Sequence, residues 1–385
     1  MSKNRFIFLL LFAAISYDIK ATEIPELIFI NGNTFIQGAN TVTKTHKIEI
    51  DNIPDIEYNL HSVSIDSFYI SKYEITIKEF YEFINETDYV TYAKRQWLKW
   101  GDNSKHPQTY NSRYMSKDFF YFPITEVTYI DALEYCRWLS NKTGERFRLP
   151  TESEWEYVAT SGKQQLYPWG NDYKIIQEGK LISDFLDIQY DEDILPVFDT
   201  QLDSGEFHVC GLFGNVREFC LDFFDPLFYQ KNYNINPLQI DCLYPDEENT
   251  YRGYAGYNME FPDKTRITNR FSISNIYYSK SLGFRIVKEY KETIFNKDTD
   301  KECIYNYCSG TINDNYINMR KMPSVKGQKG GQLMKDDKII IYFRTNKKEL
   351  IEKDENYWYY VRRIDPLGEL ETDGFWIFGK YIDFE

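Results

Sequence analysis

The residues best able to do chemistry in this chain are few and widely spaced. Six cysteines, Cys136, Cys210, Cys220, Cys242, Cys303 and Cys308, lack the C-x-x-C spacing of a zinc site. Four histidines, His46, His61, His106 and His208, are scattered without the facial-triad pattern of an iron oxygenase and read as surface or core residues. One stretch has the composition of a binding segment: Y-R-G-Y-A-G-Y-N-M-E-F-P-D-K-T-R, from Tyr251 to Arg266. Gly253 and Gly256 allow a sharp turn or close approach to a ligand. Tyr254 and Tyr257 offer apolar faces with polar tips, and Arg252, Glu260 and Asp263 add charge of both signs. The stretch holds no Cys, His or Ser, hence no evident nucleophile. Acid–base chemistry by Tyr257, Glu260 and Asp263 is the alternative that its composition leaves.

Local elements must hold this segment. Three helices announce themselves by a Thr three residues ahead of an acidic residue, followed by an apolar stripe, which is the capping box. Thr76 with Glu79 precedes Phe80 and Phe83; Thr128 with Asp131 precedes Leu133, Cys136 and Leu139; Thr151 with Glu154 precedes Trp155 and Val158. Gly144 and Gly162 stand where the second and third helices should stop. Pro150 fixes the entry to the third, which plants Trp155 in the core. Arg285 is expected to fork onto Glu154 or Glu156, and Gly214 with Asn215 reads as a tight turn. The rest is rich in Gly, Pro, Asn and Tyr, with a β run at His61 to Ile70 and long irregular connections at Thr91 to Phe122 and Tyr173 to His208.

A chain of 385 residues with 42% hydrophobic and 18% aromatic residues can bury a large core. Its formal charge of −14 and the absence of a basic stripe in the sequence argue against nucleic acid, whose phosphates need clustered Lys and Arg. The start, M-S-K-N-R-F-I-F-L-L-L-F-A-A-I-S, is basic then apolar, the shape of an export signal ending near Ala21 and too short to span a bilayer as a helix. No Cys precedes Cys136, so a lipid-anchored start is not supported. The resulting expectation is an exported protein, in a periplasm, on a surface or released, without a transmembrane segment. An even number of cysteines in such a protein permits disulfides, Cys303 with Cys308 locally and Cys210 with Cys220 or Cys242 as a second option.

Composition shifts after Val287, where K-E-Y-K-E-T-I-F-N-K-D-T-D-K suits a linker. The β runs beyond it, at Lys338 to Phe343, Trp358 to Arg362 and Phe375 to Phe378, are separated by turn residues and read as a small all-β barrel. The organisation expected is therefore residues 1–21 as signal, 22–290 as the main domain, 291–303 as linker and 304–385 as the barrel.

Taken in order, the segments F-I-Q-G, F-Y-I-S-K-Y-E-I-T, F-P-I-T-E-V-T-Y-I-D-A-L-E-Y-C-R-W-L-S-N-K-T-G, R-F-R-L-P-T-E-S-E-W-E-Y-V-A-T-S-G, Y-P-W-G-N-D, G-L-F-G-N-V-R-E-F, R-G at Arg252, Arg270 and L-G-F-R resemble the formylglycine-generating, sulfatase-modifying-factor family over residues 25 to 290. The resemblance implies an α+β, loop-rich variant of the C-type-lectin-like fold. It also implies that a copper-binding cysteine pair, which oxidises a substrate cysteine to formylglycine in active members, would fall at Asn258 and Asp263. No cysteine lies between Cys242 and Cys303, so copper is not expected. The family's structural calcium would fall on Glu218 and the backbone of Gly214 and Val216, with Gly211 where an Asn or Asp ligand is usual. A second site could use Asp184.

The C-terminal part resembles bacterial Src-homology-3-like (SH3-like) domains. The carrying segments are Y-I-N-M-R-K-M-P-S, N-Y-W-Y-Y-V-R and G-F-W-I-F-G-K-Y-I. The resemblance implies a groove for a peptide or wall material, with Tyr357, Trp358 and Trp376 as its candidates. The functional expectation is an exported, non-catalytic binding or scaffold protein of the cell envelope, whose partner is an envelope protein, a peptide or a cell-wall component. Its ligand groove is expected from Arg252, Tyr254, Tyr257, Asn258, Asp263 and Arg270.

Overall fold

The structure, a computed structural model, describes residues 24–38, 60–100, 119–171, 194–200, 203–231, 233–241, 249–253, 267–365, 370–371 and 373–385. The expectations for residues 1–21, for Tyr254, Tyr257, Asn258 and Asp263, for Glu260, Asp184, Cys242, His46 and His106 lie outside these.

In chain order come β1 (Leu27–Ile30), β2 (Thr34–Gln37), β3 (His61–Ser64), β4 (Phe68–Ser71), α1 (Ile77–Thr87), α2 (Tyr92–Trp100), α3 (Tyr129–Thr143), β5 (Phe147–Arg148) and α4 (Glu152–Ala159). Then follow β6 (Arg217–Phe223), β7 (Asn249–Arg252), β8 (Phe271–Ile273), β9 (Leu282–Gly283) and β10 (Val287–Glu289). The C-terminal part adds β11 (Cys303–Ile312), β12 (Ile317–Arg320), β13 (Lys329–Leu333), β14 (Lys338–Thr345), β15 (Glu349–Ile351), β16 (Asp354–Asn356), β17 (Trp358–Ile364), β18 (Phe375–Phe378) and β19 (Ile382–Phe384). Among the described residues no helix is long and apolar enough to cross a membrane.

All three capping boxes form. Thr76, Thr128 and Thr151 each accept from the backbone N–H three residues on, and Glu79, Asp131 and Glu154 reach back to the cap. Two orphan donors are satisfied at each helix start. Gly144 ends α3 in the left-handed conformation at φ 73°, where a Cβ is disfavoured. Helix α4 stops earlier than expected, at Ala159 with Thr160 as its cap. The segment after Thr91, expected to be irregular, begins with helix α2. The β run at His61 to Ile70 is two strands, β3 and β4, in different sheets.

The first unit mixes helices with two four-stranded sheets, in the orders β1-β4-β10-β5 and β8-β7-β6-β9, and a β2-β3 pair. Among the described residues two large apolar clusters fill it, beside a small one of Tyr73, Val197 and Cys210. Trp155 and Val158 from α4 pack with Ile30, Val63, Phe68 and Ile70, while α1 and α3 press Phe80, Phe83, Tyr135 and Leu139 against Phe284.

Seven of the C-terminal strands form an antiparallel sheet in the order β13-β12-β18-β17-β14-β11-β19, and β15 pairs with β16 apart from it. Its edges, β13 and β19, are not bonded to each other, so this sheet is open where a closed barrel was expected. Its two faces do different work. One gathers Ile317, Met319, Leu333, Ile339, Ile341, Val361 and Ile377 into a core of its own. The other lays Tyr305, Tyr307, Tyr342, Trp358, Tyr360 and Trp376 against Phe219, Leu221, Phe223 and Leu238 of the first unit.

Residues 291–303, the expected linker, pack against the first unit. Phe295 is fully buried under the Arg148 guanidinium, and the Asn296 amide exchanges hydrogen bonds with the Leu238 backbone at 2.8 and 2.9 Å.

The expected local disulfide is absent, since Cys303 and Cys308 are free thiols at opposite ends of a stretch of β11. Five residues of strand span roughly 16 Å, well beyond the 4.4–6.8 Å that a disulfide needs between Cα atoms. Of the second option, Cys210 with Cys220 or Cys242, Cys210 and Cys220 are also free and buried, and Cys242 lies outside the described residues.

Candidate functional site

The candidate site is built where strand β7 hands the chain to the segment after Gly253. Behind it lies helix α4, whose Glu152, Glu154 and Glu156 are all buried, as is Glu218 of β6. A buried carboxylate demands a partner, and each of these four has an arginine.

Arg270 forks onto Glu152, Nε to Oε2 at 2.6 Å and Nη2 to Oε1 at 2.8 Å, and the Thr250 hydroxyl adds a bond at 2.9 Å. Arg148 forks onto Glu154 at 2.7 and 2.8 Å and also reaches Glu289. Arg252 donates through Nη2 to Glu156, which also accepts from the Tyr229 hydroxyl at 3.0 Å and the Gly38 amide at 2.7 Å. Arg285 forks onto Glu218 at 2.6 Å twice, and Trp155 Nε1–H donates to the same carboxylate at 2.8 Å. The expectation that Arg285 would meet Glu154 or Glu156 is thus corrected: those acids are taken by Arg148 and Arg252.

The pKa shifts follow from this arrangement. Burial works to raise that of Glu152, but the charge and hydrogen bonds of Arg270, with Arg252 behind, outweigh it and hold the carboxyl below its ordinary value. Asp222 receives the Glu152 and Gln239 amides, yet burial first and the Glu152 charge second push it up to about 8.

Arg252 and Arg270, expected to face a ligand, are fixed inside the fold. Arg252 is fully buried with its guanidinium 5.6 Å from the Trp155 ring, and Arg270 lies 4.2 Å from the Tyr229 ring. They brace the strand that leads into the segment and leave its surface to other residues. Gly253 follows at φ 78°, a left-handed turn that a side chain would strain.

What does face outward here was not singled out by sequence reasoning. Glu218 pairs with Arg252 across β6 and β7, so Arg217 and Tyr251 project from the opposite face of that sheet. The half-buried Arg217 guanidinium lies 5.7 Å from the Tyr251 ring. Tyr251 stacks on Phe271 of β8 at 5.0 Å and 9°. Among the described residues Arg217 has no carboxylate partner. A free guanidinium over two stacked rings can take a planar or anionic group. The available signal was the alternation in N-V-R-E-F, where Glu218 turns inward and Arg217 outward.

The calcium expectation meets a different geometry. Both Glu218 oxygens receive N–H donors, and Arg285 also donates to the carbonyls of Ser71, Cys210 and Gly211 at 3.2, 2.8 and 3.3 Å. The oxygens gathered there are turned to a guanidinium. At Gly211, held at φ 71°, an added Cβ would come within 2.6 Å of the Glu74 carboxylate, so a ligand side chain there would strain the backbone and displace that carboxylate. Gly214 gives its amide to Asp203 at 2.8 Å. As a set, Gly214, Val216 and Glu218 do not fit a hard cation, which needs six or more free oxygens. Burial pushes the thiols of Cys210 and Cys308 up to about 11, and those of Cys136, Cys220 and Cys303 upward too.

In the C-terminal sheet, Trp358 and Trp376 are core residues, 4% and 2% exposed, where a groove was expected. The face that carries them is covered by the first unit, and Trp358 Nε1–H donates to Glu349. Tyr357 alone of the three is partly open, under Arg344 at 4.4 Å.

Comparison with known proteins places these features in context. Residues 13–290 match the sulfatase-modifying factor enzyme 1-like domain. The formylglycine-generating enzyme of Bos taurus is 32% identical over 146 residues, covering 30% of this chain and 37% of that protein. The inactive C-alpha-formylglycine-generating enzyme 2 of Mus musculus is 24% identical over 293 residues, 68% of this chain and 85% of its own. Among solved structures, PvdO from Pseudomonas aeruginosa shares the fold with a TM-score of 0.54 at 24% identity, over 70% of this chain and 96% of its own.

Proposed function

The chain belongs to the sulfatase-modifying factor enzyme 1-like family, and from that premise we propose that it is a non-catalytic, exported binding or scaffold member acting in a cell envelope. The observation that carries this reading is an intact set of buried Arg–Glu pairs beside the strand that leads into a stretch without thiols: no cysteine lies between Cys242 and Cys303. Soft thiolates are what a Cu(I) oxidase needs, and Asn258 and Asp263 stand in their place. The mouse relative, 85% of whose length the match covers, is named inactive.

The ligand is engaged by Arg217, Tyr251 and Phe271 together with the residues that follow Gly253. Export rests on the basic-then-apolar start, and the partner on an envelope protein, a peptide or a wall component. The C-terminal sheet is an opened relative of the SH3-like domain. In support, Y-I-N-M-R, W-Y-Y-V-R and F-W-I-F fall on β12, β17 and β18.

The test is retention of the full chain on isolated cell walls and on immobilised envelope proteins, beside Arg217→Glu. Retention that falls at least tenfold in the variant supports the reading. Equal retention removes the platform from it, and no retention on either material removes the envelope role.

A further inference from the structure

The free edge of the C-terminal sheet differs in charge from the rest of the molecule. The chain carries −14, yet residues 316–338 hold six basic residues, Arg320, Lys321, Lys326, Lys329, Lys335 and Lys338, against two acidic ones, Asp336 and Asp337. Lys321, Lys326 and Lys329 are exposed and have no ion-pair partner among the described residues. Asp337 is already engaged, accepting from the Met334 amide at 2.8 Å and facing Arg363 at 3.7 Å.

Among the described residues strand β13 bonds to β12 alone, so its other side presents backbone N–H and C=O groups that none of them pairs. Its sequence K-G-G-Q-L leaves that backbone bare. Gly330 is required there because the Phe375 ring lies where a Cβ would go, 1.9 Å away. Bare backbone at a strand edge is where another backbone can come close. Met322 and Val325, 46% and 44% exposed, flank it in the β12–β13 turn.

We propose that β13 is a docking edge for an acidic, extended polypeptide segment of a partner protein, which adds to the sheet as an eighth strand. Backbone hydrogen bonds would supply the pairing and the lysine rim its selectivity. Lysines on an edge repel the same edge of a second copy, so they admit an acidic strand and reject their own kind. The opposite edge, β19, carries Asp383 and Glu385, but its three residues, Ile382–Phe384, are too few to match the five of β13. A short peptide feels mainly the local patch, because charges beyond about 8 Å are screened at physiological salt. This inference does not depend on the site at β7.

The experiment titrates the full chain with a blocked peptide of alternating Glu and Val. Its controls are the Lys–Val analogue, a Glu–Val peptide interrupted by proline, and vesicles of anionic phospholipid. The expected result is saturable binding of the Glu–Val peptide that weakens with salt. It should fall at least tenfold with the proline peptide and with the triple variant Lys321→Glu, Lys326→Glu, Lys329→Glu. These positions are exposed, so the triple variant should keep its melting temperature, and Lys321→Gln, Lys326→Gln, Lys329→Gln provides a milder version should it not. Equal binding of the proline or lysine peptide overturns strand addition. Stronger binding to the vesicles overturns the choice of partner. Concentration-dependent oligomers lost in the triple variant would make a second copy the occupant and overturn it also.

Discussion

Arg217 and Arg252 lie on neighbouring strands of one sheet and face opposite ways, and their substitutions should differ accordingly. Arg252→Ala strips the buried Glu156 of its cation, and an uncompensated buried charge costs about 3–5 kcal/mol. Arg217→Ala removes only a half-exposed cation over Tyr251, worth about 1 kcal/mol or less. Urea denaturation of both variants checks the contrast, and equal losses would contradict it. That Arg252 and Arg270 are braces could not be read from the sequence, because an arginine before a glycine looks the same whether its carboxylate is in solvent or in the core. The choice of Glu218 for Arg285 is equally a matter of three-dimensional reach. The outward platform needed one further step, namely that Glu218 and Arg217 alternate across a pleat.

Helix starts are a different case, since the capping box is written in four consecutive residues and does not need the rest of the fold. Thr151→Ala should therefore cost about 0.5–2 kcal/mol and Thr151→Ser much less, measured by thermal denaturation. A loss with Ser as large as with Ala would show that the methyl group matters more than the cap. The three capped helices were legible for this reason. Helix α2 was not, because Y-A-K-R-Q-W-L-K-W follows Thr91 without an acidic residue at the third helical position. Strands β14, β17 and β18 were legible from their β-branched and aromatic runs, and β12 only through the resemblance. Their closure was not, because edge pairing depends on β13 and β19 meeting in space.

Over the whole molecule, the aromatic face of the C-terminal sheet and β6 share one core, with Phe223 at 5.9 Å from Tyr342 and 6.4 Å from Tyr360. A chain cut after residue 303 would expose Phe219, Leu221 and Phe223, so the two parts should melt in a single transition in calorimetry; two separated transitions would contradict the shared core. Within the expected linker, charged residues such as Lys297 and Lys301 stand beside a buried Phe295 and Asn296, which composition alone does not reveal. Stability should also depend on pH. Glu74 and Asp222 are pushed up to about 8 and Asp203 to about 7, in each case first by burial. The folded chain keeps these protons while the unfolded chain, with carboxyl pKa values near 4, releases them. Their contribution is complete below about pH 4 and is lost as pH rises toward 8, so denaturation midpoints should fall between pH 5.5 and 8; a rise would contradict the shifts. The central claim, a family fold without its thiol chemistry, is tested most directly by giving the full chain Cu(I) and a Cys-x-Pro-x-Arg peptide in the presence of oxygen. No metal bound at the stretch after Gly253 and a peptide recovered with its cysteine intact are predicted, whereas formylglycine in the peptide would contradict the claim.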